Sequence, residues 1–354
     1  GLIIDLRGNP GGLLEQAVRI ADTFIVSGPL VTTVGYGHKI RQPKMATRAG
    51  TETTVPLAVL IDPSSASASE IVAGALKNHN RAVLIGQRTF GKGSVQVIYD
   101  NKDDSALKLT IAQYLTPGDE SIQSVGVVPD VLTRPLRIDD EDVDVFVDYG
   151  GGEEKLPQHL KNAGTKRARP HAATYNISYL RDLDQEKAIN ANPQALIEDF
   201  EMGLAASILR TARSIDRESV LKEIQPLMAS RGERAQIGID RALGKRGVTW
   251  SALGKSVVGQ GTAKVSVTTS LTNAGKARKS LQAGKTLTIT VSVKNEGDAA
   301  FKRLAAVSKS DDGQFNDREF LFGAVKPGET KSWTTSFKTD LASLTGTTLI
   351  ALNF

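Results

Sequence analysis

The sequence contains no cysteine among its 354 residues. This absence excludes disulfide bonds, a cysteine nucleophile and zinc sites built on thiolates. The sequence also lacks any run that approaches the roughly 18 consecutive apolar residues of a transmembrane helix, so no such helix is predicted. The lack of cysteine fits an oxidising or a reducing compartment equally well.

Charge of one sign is not in large excess. The chain has 44 Lys and Arg against 39 Asp and Glu, which gives a net charge of +5. This mild excess favours an ordinary solvated surface over a nucleic-acid partner, and the basic cluster Lys166–Arg169 is too short to change that interpretation. A hydrophobic content of 40% is enough for real cores, and the length predicts two or three domains.

Histidine and acidic clusters give no metal site. The four histidines show no spacing that suits a metal or a catalytic triad, so His38 is interpreted as a surface or strand-end residue. His79 ends a predicted helix, where a cation is favoured by the helix dipole. The acidic run Asp139–Asp144 lacks the Gly and Glu of a calcium-binding loop and is interpreted as a solvated linker.

The most informative stretch is a short apolar run followed by crowded serines. Leu57–Ile61 is continuously apolar and predicts a buried strand, and four serines follow within residues 64–69. Ile71 and Ala75 then begin an apolar spacing that predicts a helix. The start of a helix offers unpaired N–H groups and a positive partial charge, which suit a nucleophile or an oxyanion.

Two interpretations of these serines remain open at this point. Ser67 and Glu70 fit a capping box, in which Ser67 only satisfies N–H groups of the helix. Downstream, however, Lys92 lies between two glycines, a setting that suits close packing of the backbone against a site. Gln96 would share a face with Lys92 if the segment is extended. A lysine kept neutral by burial can deprotonate a serine while a glutamine amide holds its amine.

Four motifs then follow one another in a fixed order. They are Leu-Arg-Gly-Asn-Pro-Gly-Gly-Leu-Leu (6–14), Ser-Ala-Ser-Ala-Ser-Glu-Ile (65–71), Thr-Phe-Gly-Lys-Gly-Ser-Val-Gln (89–96), and Tyr-Leu-Thr-Pro-Gly (114–118) with Ser-Ile-Gln-Ser-Val-Gly-Val-Val-Pro-Asp (121–130) after it. Together they resemble the carboxy-terminal processing peptidases, also called tail-specific proteases. The resemblance covers about residues 1–135.

The resemblance implies a serine endopeptidase that cleaves exported proteins near their C-termini. Its chemistry would use a Ser–Lys dyad and an acyl-enzyme, with no metal or organic cofactor. The residues implied are the nucleophile Ser67, the general base Lys92, the orienting Gln96, and the backbone N–H groups of Ala68 and of Gly11 or Gly12 as the oxyanion hole.

One residue departs from the family pattern. Many members have an aspartate after the nucleophile helix, and here that position is Asn78. At about 1.5 Å per helical residue, Asn78 is predicted to lie about 16 Å along the helix from Ser67, too far for proton transfer. The position is therefore interpreted as structural. A catalytically silent binding scaffold stays open as the alternative function, and an enzyme acting on acyl thioesters is a less favoured one.

The motifs and periodicity divide the chain into three predicted regions. Residues 1–135 predict an α/β catalytic core of βαβ units, for which the resemblance implies a crotonase-like fold. Residues 136–260 predict a linker and helical region that packs on the catalytic sheet or forms a spacer. Residues 261–354 alternate with period two and predict an immunoglobulin-like sandwich, interpreted as a binding or spacing module.

Three helices are predicted within residues 136–260, after a loop over residues 150–170. The first is capped at Asn192-Pro193, the second begins near Asp216 and is split by Pro226, and the third covers Gly232–Leu243.

Both ends of the sequence fall inside strand-like runs, so we interpret it as a piece of a longer chain. Members of the resembling family carry a peptide-binding PDZ domain and an export signal before this point, and neither is recognised here. The resemblance therefore implies a periplasmic or otherwise extracytoplasmic protein. Its implied partners are protein or peptide substrates, with an adaptor or cell-envelope partner as a candidate for the C-terminal sandwich and no nucleic acid.

Overall fold

The computed structural model describes part of the chain, which forms two compact units. The described residues are 1–35, 41–139, 143–146, 152–157, 173–191, 199–250, 264–273, 276–277, 284–340 and 350–353. The first unit comprises Gly1–Arg134, Asp148–Ser178 and Asp182–Arg234, and the second comprises Pro135–Val147, Tyr179–Arg181 and Ala235–Phe354. The predicted three-part division stays a prediction. His38, Lys166–Arg169 and most of the predicted loop at 150–170 lie outside the described residues.

Strands and helices alternate in the first part of the chain, and strands dominate the last. The strands are β1 (Leu2–Asp5), β2 (Pro29–Gly35), β3 (Arg41–Met45), β4 (Leu57–Ile61), β5 (Ala82–Gly86), β6 (Ser94–Asp100), β7 (Ala106–Thr116), β8 (Glu120–Ser121), β9 (Val131–Ile138), β10 (Val143–Asp144), β11 (Tyr175–Leu180), β12 (Val265–Asn273), β13 (Lys276–Ala277), β14 (Thr286–Asn295), β15 (Phe301–Ser310), β16 (Glu319–Val325), β17 (Thr330–Lys338) and β18 (Ile350–Asn353). The helices are α1 (Leu14–Asp22), α2 (Ala68–Asn78), α3 (Leu183–Ala191), α4 (Phe200–Thr211), α5 (Arg217–Glu223) and α6 (Gln225–Lys245).

A parallel sheet forms the centre of the first unit. Its strands lie in the order β1, β4, β5 and the start of β9, each parallel to the next. Every residue of β4 and β5 is buried, as expected for strands that are covered on both faces. This arrangement confirms the predicted α/β core.

Helices cover the two faces of this sheet. Val59 and Ile61 point to one face and pack with apolar residues of α1 and α2. Ala58 and Leu60 point to the other face and pack with apolar residues of α4 and α5. Because side chains alternate along a strand, one apolar run supplies both cores. Helices α4 and α5 therefore pack on the sheet, which was one of the two predicted arrangements for this region.

A second, antiparallel sheet belongs to the same unit. Its strands lie in the order β3, β2, β7 and β6, and β8 pairs with β7. Strand β6 follows Lys92 by two residues, so this sheet continues from the candidate base.

The predicted helix boundaries are correct at one helix and wrong at two. Helix α5 begins after Asp216, and Pro226 opens α6 after a one-residue break, as predicted. The described helix α4 begins at Phe200 with Asp199 as its N-cap, so the predicted cap at Asn192-Pro193 is wrong, and residues 192–198 lie outside the described residues. The helix predicted from Gly232 is the interior of α6, because one glycine costs a helix only about 1 kcal/mol.

A buried ion cluster fastens α5 to the sheet. Asp130 is 1% exposed, and its Oδ2 accepts a hydrogen bond from Leu84 N at 2.9 Å. Its Oδ1 accepts from Arg217 Nε at 2.9 Å and lies 3.9 Å from Lys77 Nζ. Lys77 Nζ also donates to the carbonyl of Val128 at 2.6 Å, and burial lowers the pKa of Lys77. Asp130 therefore accepts hydrogen bonds from Arg217 and from one backbone N–H, and it forms an ion pair with Lys77; both cations are half-buried.

We expect Asp130→Ala to lower the free energy of unfolding by about 3–5 kcal/mol, because it leaves Arg217 and Lys77 half-buried without their carboxylate. Urea denaturation measures the change. Asp184→Ala is the control: the side chain of Asp184 is 95% exposed in its pair with Lys187, and the change should be below about 0.5 kcal/mol. Equal effects of the two substitutions would contradict a structural role for the cluster.

The second unit contains two antiparallel sheets. One has the order β13, β12, β14, β17 and the other has the order β16, β15, β18. Leu287 and Val291 of β14 are fully buried and share a core with Phe320 and Phe322 of β16. The alternating pattern of β14 is therefore confirmed, as is the all-β character of the C-terminal region.

No described helix is long and apolar enough to span a membrane.

Candidate active site

Three neighbouring strands deliver the loops that carry the candidate residues. Strand β1 ends at Asp5 before the glycine-rich loop 6–12, β4 ends at Ile61 before the serine-rich turn, and β5 ends at Gly86 before the segment with Lys92. These strands are adjacent and parallel, so their carboxyl ends lie at one edge of the sheet. Such an edge is where open α/β sheets bind ligands.

Ser67 has an unusual backbone. It immediately precedes α2, with φ 55° and ψ −114°, a combination that residues with a side chain rarely adopt. The capping box predicted for Ser67 and Glu70 is present. An ordinary N-cap residue has an extended backbone, however, so capping alone does not account for the backbone of Ser67. A serine on a strained strand-to-helix turn is an arrangement that exposes a nucleophile.

The Glu70 carboxylate joins the serine turn to the lysine segment. Glu70 is fully buried, and its Oε2 accepts hydrogen bonds from Ser67 N at 2.9 Å and from Lys92 N at 2.8 Å. Its Oε1 accepts from Thr89 Oγ1 at 2.5 Å and from Gly91 N at 2.7 Å. The main chains of the candidate nucleophile and the candidate base therefore meet at one oxygen atom.

The hydrogen-bond pattern fits an ionised Glu70. Burial raises the pKa of the Glu70 carboxyl above its usual value, although the four hydrogen bonds that it accepts act in the opposite direction. Three of its donors are backbone N–H groups, which cannot accept a hydrogen bond. The fourth, Thr89 Oγ1, already accepts from Val127 N at 2.7 Å. A carboxylate can accept the hydrogen bonds of all four donors.

The glycines beside Lys92 are required by close packing. A Cβ atom at Gly93 would lie 2.7 Å from Gln123 N, and Gly91 has a φ of +94°. Lys92 itself is half-buried, and within the described residues its ammonium group has neither a hydrogen bond nor an ion pair. The backbone around Lys92 is thus fixed while no carboxylate holds the end of its side chain.

The structure does not bring Gln96 to Lys92. Gln96 is exposed, and its Nε2 donates to Thr110 Oγ1 at 3.3 Å. Strand β6 starts only at Ser94, and its pairing with β7 shifts between Val95 and Gln96. The segment is therefore not the regular extended strand on which the predicted shared face depended.

The glycine-rich loop is attached to the serine turn at several points. Gly8 N donates to Asp62 Oδ1 at 3.0 Å, and Ala66 N donates to the carbonyl of Asn9 at 3.1 Å. A Cβ atom at Gly11 would lie 2.6 Å from the carbonyl oxygen of Ala66, so only glycine fits there.

The two candidate oxyanion glycines differ in their surroundings. Gly11 N donates to Asn9 Oδ1 at 2.9 Å, although Gly11 is the residue that lies against the turn, with its Cβ position 2.8 Å from Ala68 N. The N–H groups of Gly12 and Ala68 have no acceptor within the described part of the chain. Ala68 opens α2, where no intrahelical acceptor exists.

Asn78 makes structural contacts at the far end of α2. Its Nδ2 lies 2.9 Å from the carbonyl of Pro117, 3.2 Å from Thr116 Oγ1 and 3.2 Å from Glu120 Oε2. These contacts agree with the structural interpretation of this departure from the family pattern.

Glu70 and Arg7 are the two residues whose importance the sequence did not indicate. Glu70 was interpreted only as a cap, and three of its four donors come from residues 89–92. Arg7 was only part of a motif, yet it bonds to the start of α4. No local periodicity could reveal either contact, because both depend on distant residues.

We expect Glu70→Gln to lower the free energy of unfolding by about 3 kcal/mol, because its amide NH2 would face two buried N–H donors that lose their acceptor. Urea denaturation measures this change. Glu15→Gln, in an exposed pair with Lys44, is the control and should change stability by less than about 0.5 kcal/mol. Unchanged stability of Glu70→Gln would contradict the four-bond geometry.

We expect Asn78→Asp to destabilise the chain by about 1–3 kcal/mol, because a carboxylate would face Glu120 and the Pro117 carbonyl in place of a donor. Thermal unfolding measures the change, with Asn101→Asp in an exposed turn as the control. Unchanged stability of Asn78→Asp would contradict a structural role for the Asn78 amide.

Residues 1–133 match the family model described as Peptidase family S41. A carboxy-terminal-processing protease of Bartonella bacilliformis is 44% identical over 162 residues, covering 46% of this chain and 36% of that protein. A carboxyl-terminal-processing protease of Synechocystis is 40% identical over 137 residues, covering 38% of this chain and 32% of that protein. A solved photosystem II D1 C-terminal processing protease is 40% identical, with 37% of this chain and 34% of that chain covered and a TM-score of 0.36. The chain spans about a third of the length of these relatives.

Proposed function

Residues 1–133 belong to peptidase family S41, and from that premise we propose that the chain is the catalytic part of a serine endopeptidase. Ser67 is its nucleophile and Lys92 its general base. One observation carries the proposal: a single oxygen of Glu70 accepts hydrogen bonds from the backbone N–H groups of both residues. The bond from Ser67 N is also half of a capping box, but a serine that served only as a helix cap would need neither the bond from Lys92 N to the same oxygen nor a strained backbone.

The reaction proceeds in two halves. The neutral amine of Lys92 takes the hydroxyl proton of Ser67 as Oγ attacks the scissile carbonyl, and the tetrahedral oxyanion forms. Lys92 then gives that proton to the departing amine, which leaves an ester on Ser67. A water molecule loses a proton to Lys92 and attacks the ester, and the proton returns to Ser67 as the new carboxylic acid leaves.

Backbone N–H groups stabilise the oxyanion in this proposal. Ala68 supplies one of them, since its N–H is adjacent to the nucleophile and has no acceptor in the described chain. The glycine-rich loop supplies the other, from Gly12 directly or from Gly11 once Asn9 Oδ1 is released. An orienting role for Gln96 requires its amide to leave Thr110.

The substrate class rests on the names of the relatives. Since they are carboxy-terminal processing proteases, we propose protein substrates that are cleaved near their C-termini. The extracytoplasmic location and an adaptor bound by the second unit stay predictions. The silent scaffold is not favoured, because the contacts of Asn78, on which it depended, are structural.

Finer fold assignments follow the same premise. We propose a crotonase-like arrangement for the first unit, supported by its helix-covered parallel sheet. We propose an immunoglobulin-like sandwich for the second, supported by two antiparallel sheets that share one apolar core. A spacing role suits its β14 face, where hydroxyl pairs such as Thr290 and Thr334 bond to each other.

We expect Ser67→Ala and Lys92→Ala each to reduce cleavage of an unfolded protein by about 10⁴-fold or more, because each removes one half of the dyad. A protease assay and labelling by a fluorophosphonate, which reacts with activated serines, measure the loss. Circular dichroism should show an intact fold in both variants.

Ser64→Ala and Lys102→Ala, at exposed positions nearby in the sequence, serve as matched controls and should retain full activity. Undiminished proteolysis by Lys92→Ala would end the proposal of a Ser–Lys dyad.

A further inference from the structure

Arg7 connects the glycine-rich loop to helix α4. Its Nε and Nη2 donate to the two oxygens of Asp5 at 3.0 and 2.7 Å. Its Nη1 lies 2.7 Å from Asp199 Oδ2 and 2.9 Å from Glu201 Oε2. One guanidinium therefore contacts three carboxylates, two of which come from the start of a helix almost two hundred residues downstream.

The two carboxylates of α4 are themselves held in place. Asp199 uses its second oxygen to cap the helix, since Oδ1 accepts from Met202 N at 2.8 Å. Only 7% of the Glu201 side chain is exposed, and its Oε1 accepts from Thr133 Oγ1 at 2.5 Å. Both carboxylates also lie at a helix N-terminus, where negative charge is favoured. Arg7 is thus fixed to a rigid support.

This support bears on the candidate oxyanion hole. Arg7 is the last residue before Gly8, whose N–H is bound by Asp62, and four residues before Gly11, which lies against Ser67 and Ala68. The loop is therefore anchored at its start by α4 and at its end by the serine turn. If the contacts of Arg7 with α4 were lost, the loop would keep its later contacts with the serine turn. Its first residues would no longer be fixed, however, and the positions of its glycines would no longer be set.

Helix α4 begins at Phe200, well beyond residue 133, where the family match ends. On the proposed function, we infer that Asp199 and Glu201 are positioning residues of the protease: through Arg7 they hold the glycine-rich loop at the distance from Ser67 that oxyanion stabilisation requires. The helical region after the matched segment is then a part of the catalytic apparatus, and its effect should appear in the chemical step. Electrostatic stabilisation of this kind depends on donors fixed before the reaction.

The test uses the double variant Asp199→Asn and Glu201→Gln. Both changes keep the shape of the side chain, and asparagine caps a helix as well as aspartate does, so α4 should persist. We expect kcat to fall about tenfold to a hundredfold with KM changed less than about twofold, since a loop displaced by about 1 Å costs that much. The rate of fluorophosphonate labelling should fall in step, because that reaction also places negative charge in the hole.

Glu218→Gln is the matched control, because Glu218 occupies the first turn of α5 as Glu201 does in α4 and does not contact Arg7. It should leave kcat unchanged. The inference is overturned if the double variant retains kcat within about twofold of the parent, if KM alone changes, or if Glu218→Gln causes an equal loss. If the double variant does not fold, Asp199→Asn alone decides: it should lower kcat about threefold or more, and an unchanged kcat refutes the inference.

The outcome also separates this inference from the proposed function. A parent chain that neither cleaves protein nor reacts with the fluorophosphonate refutes the protease proposal itself. An active parent whose double variant is equally active refutes only the role of α4.

Discussion

The whole candidate site depends on one buried carboxylate. Glu70 accepts four hydrogen bonds, and two of them come from the backbones of Ser67 and Lys92. A buried N–H group without an acceptor costs about 1–3 kcal/mol, so the folded chain has little freedom to separate these segments. The relative position of the two backbones is therefore set by the requirement to satisfy a charge inside the protein.

The parallel sheet brings the segments of the candidate site together. Because β1, β4 and β5 are adjacent and parallel, three loops that are far apart in the sequence begin at the same edge. Helices cover both faces of the sheet, and two of them are also connected to the candidate site. Helix α2 starts directly after Ser67, while the residues at the start of α4 bind Arg7 at the beginning of the glycine-rich loop. The core and the site therefore share the same elements.

Local signals in the sequence were sufficient for part of this structure. The apolar run Leu57–Ile61 predicted the central strand, because that signal lies within a few neighbouring residues. The residues around Ser67 and Lys92 predicted a catalytic site, which stays a prediction, although the backbones of both residues do bond to Glu70. The start of α4 and the continuity of α6 were not predicted. Asp199 caps α4 in place of the predicted Asn192-Pro193, and the helix-favouring neighbours of Gly232 keep α6 continuous through that glycine. The partner of Gln96 was missed because a register shift in β6 is set by its pairing with β7. The contacts of Glu70 and Arg7 join segments that are distant in the sequence, so no periodic pattern of residues predicts them.

The backbone of Ser67 has a consequence for the stability of the fold. A side chain at its φ and ψ costs on the order of 1–3 kcal/mol, whereas glycine adopts such values freely. A glycine at this position would relieve the backbone, but it could not supply the hydroxyl on which the proposed chemistry of Ser67 depends.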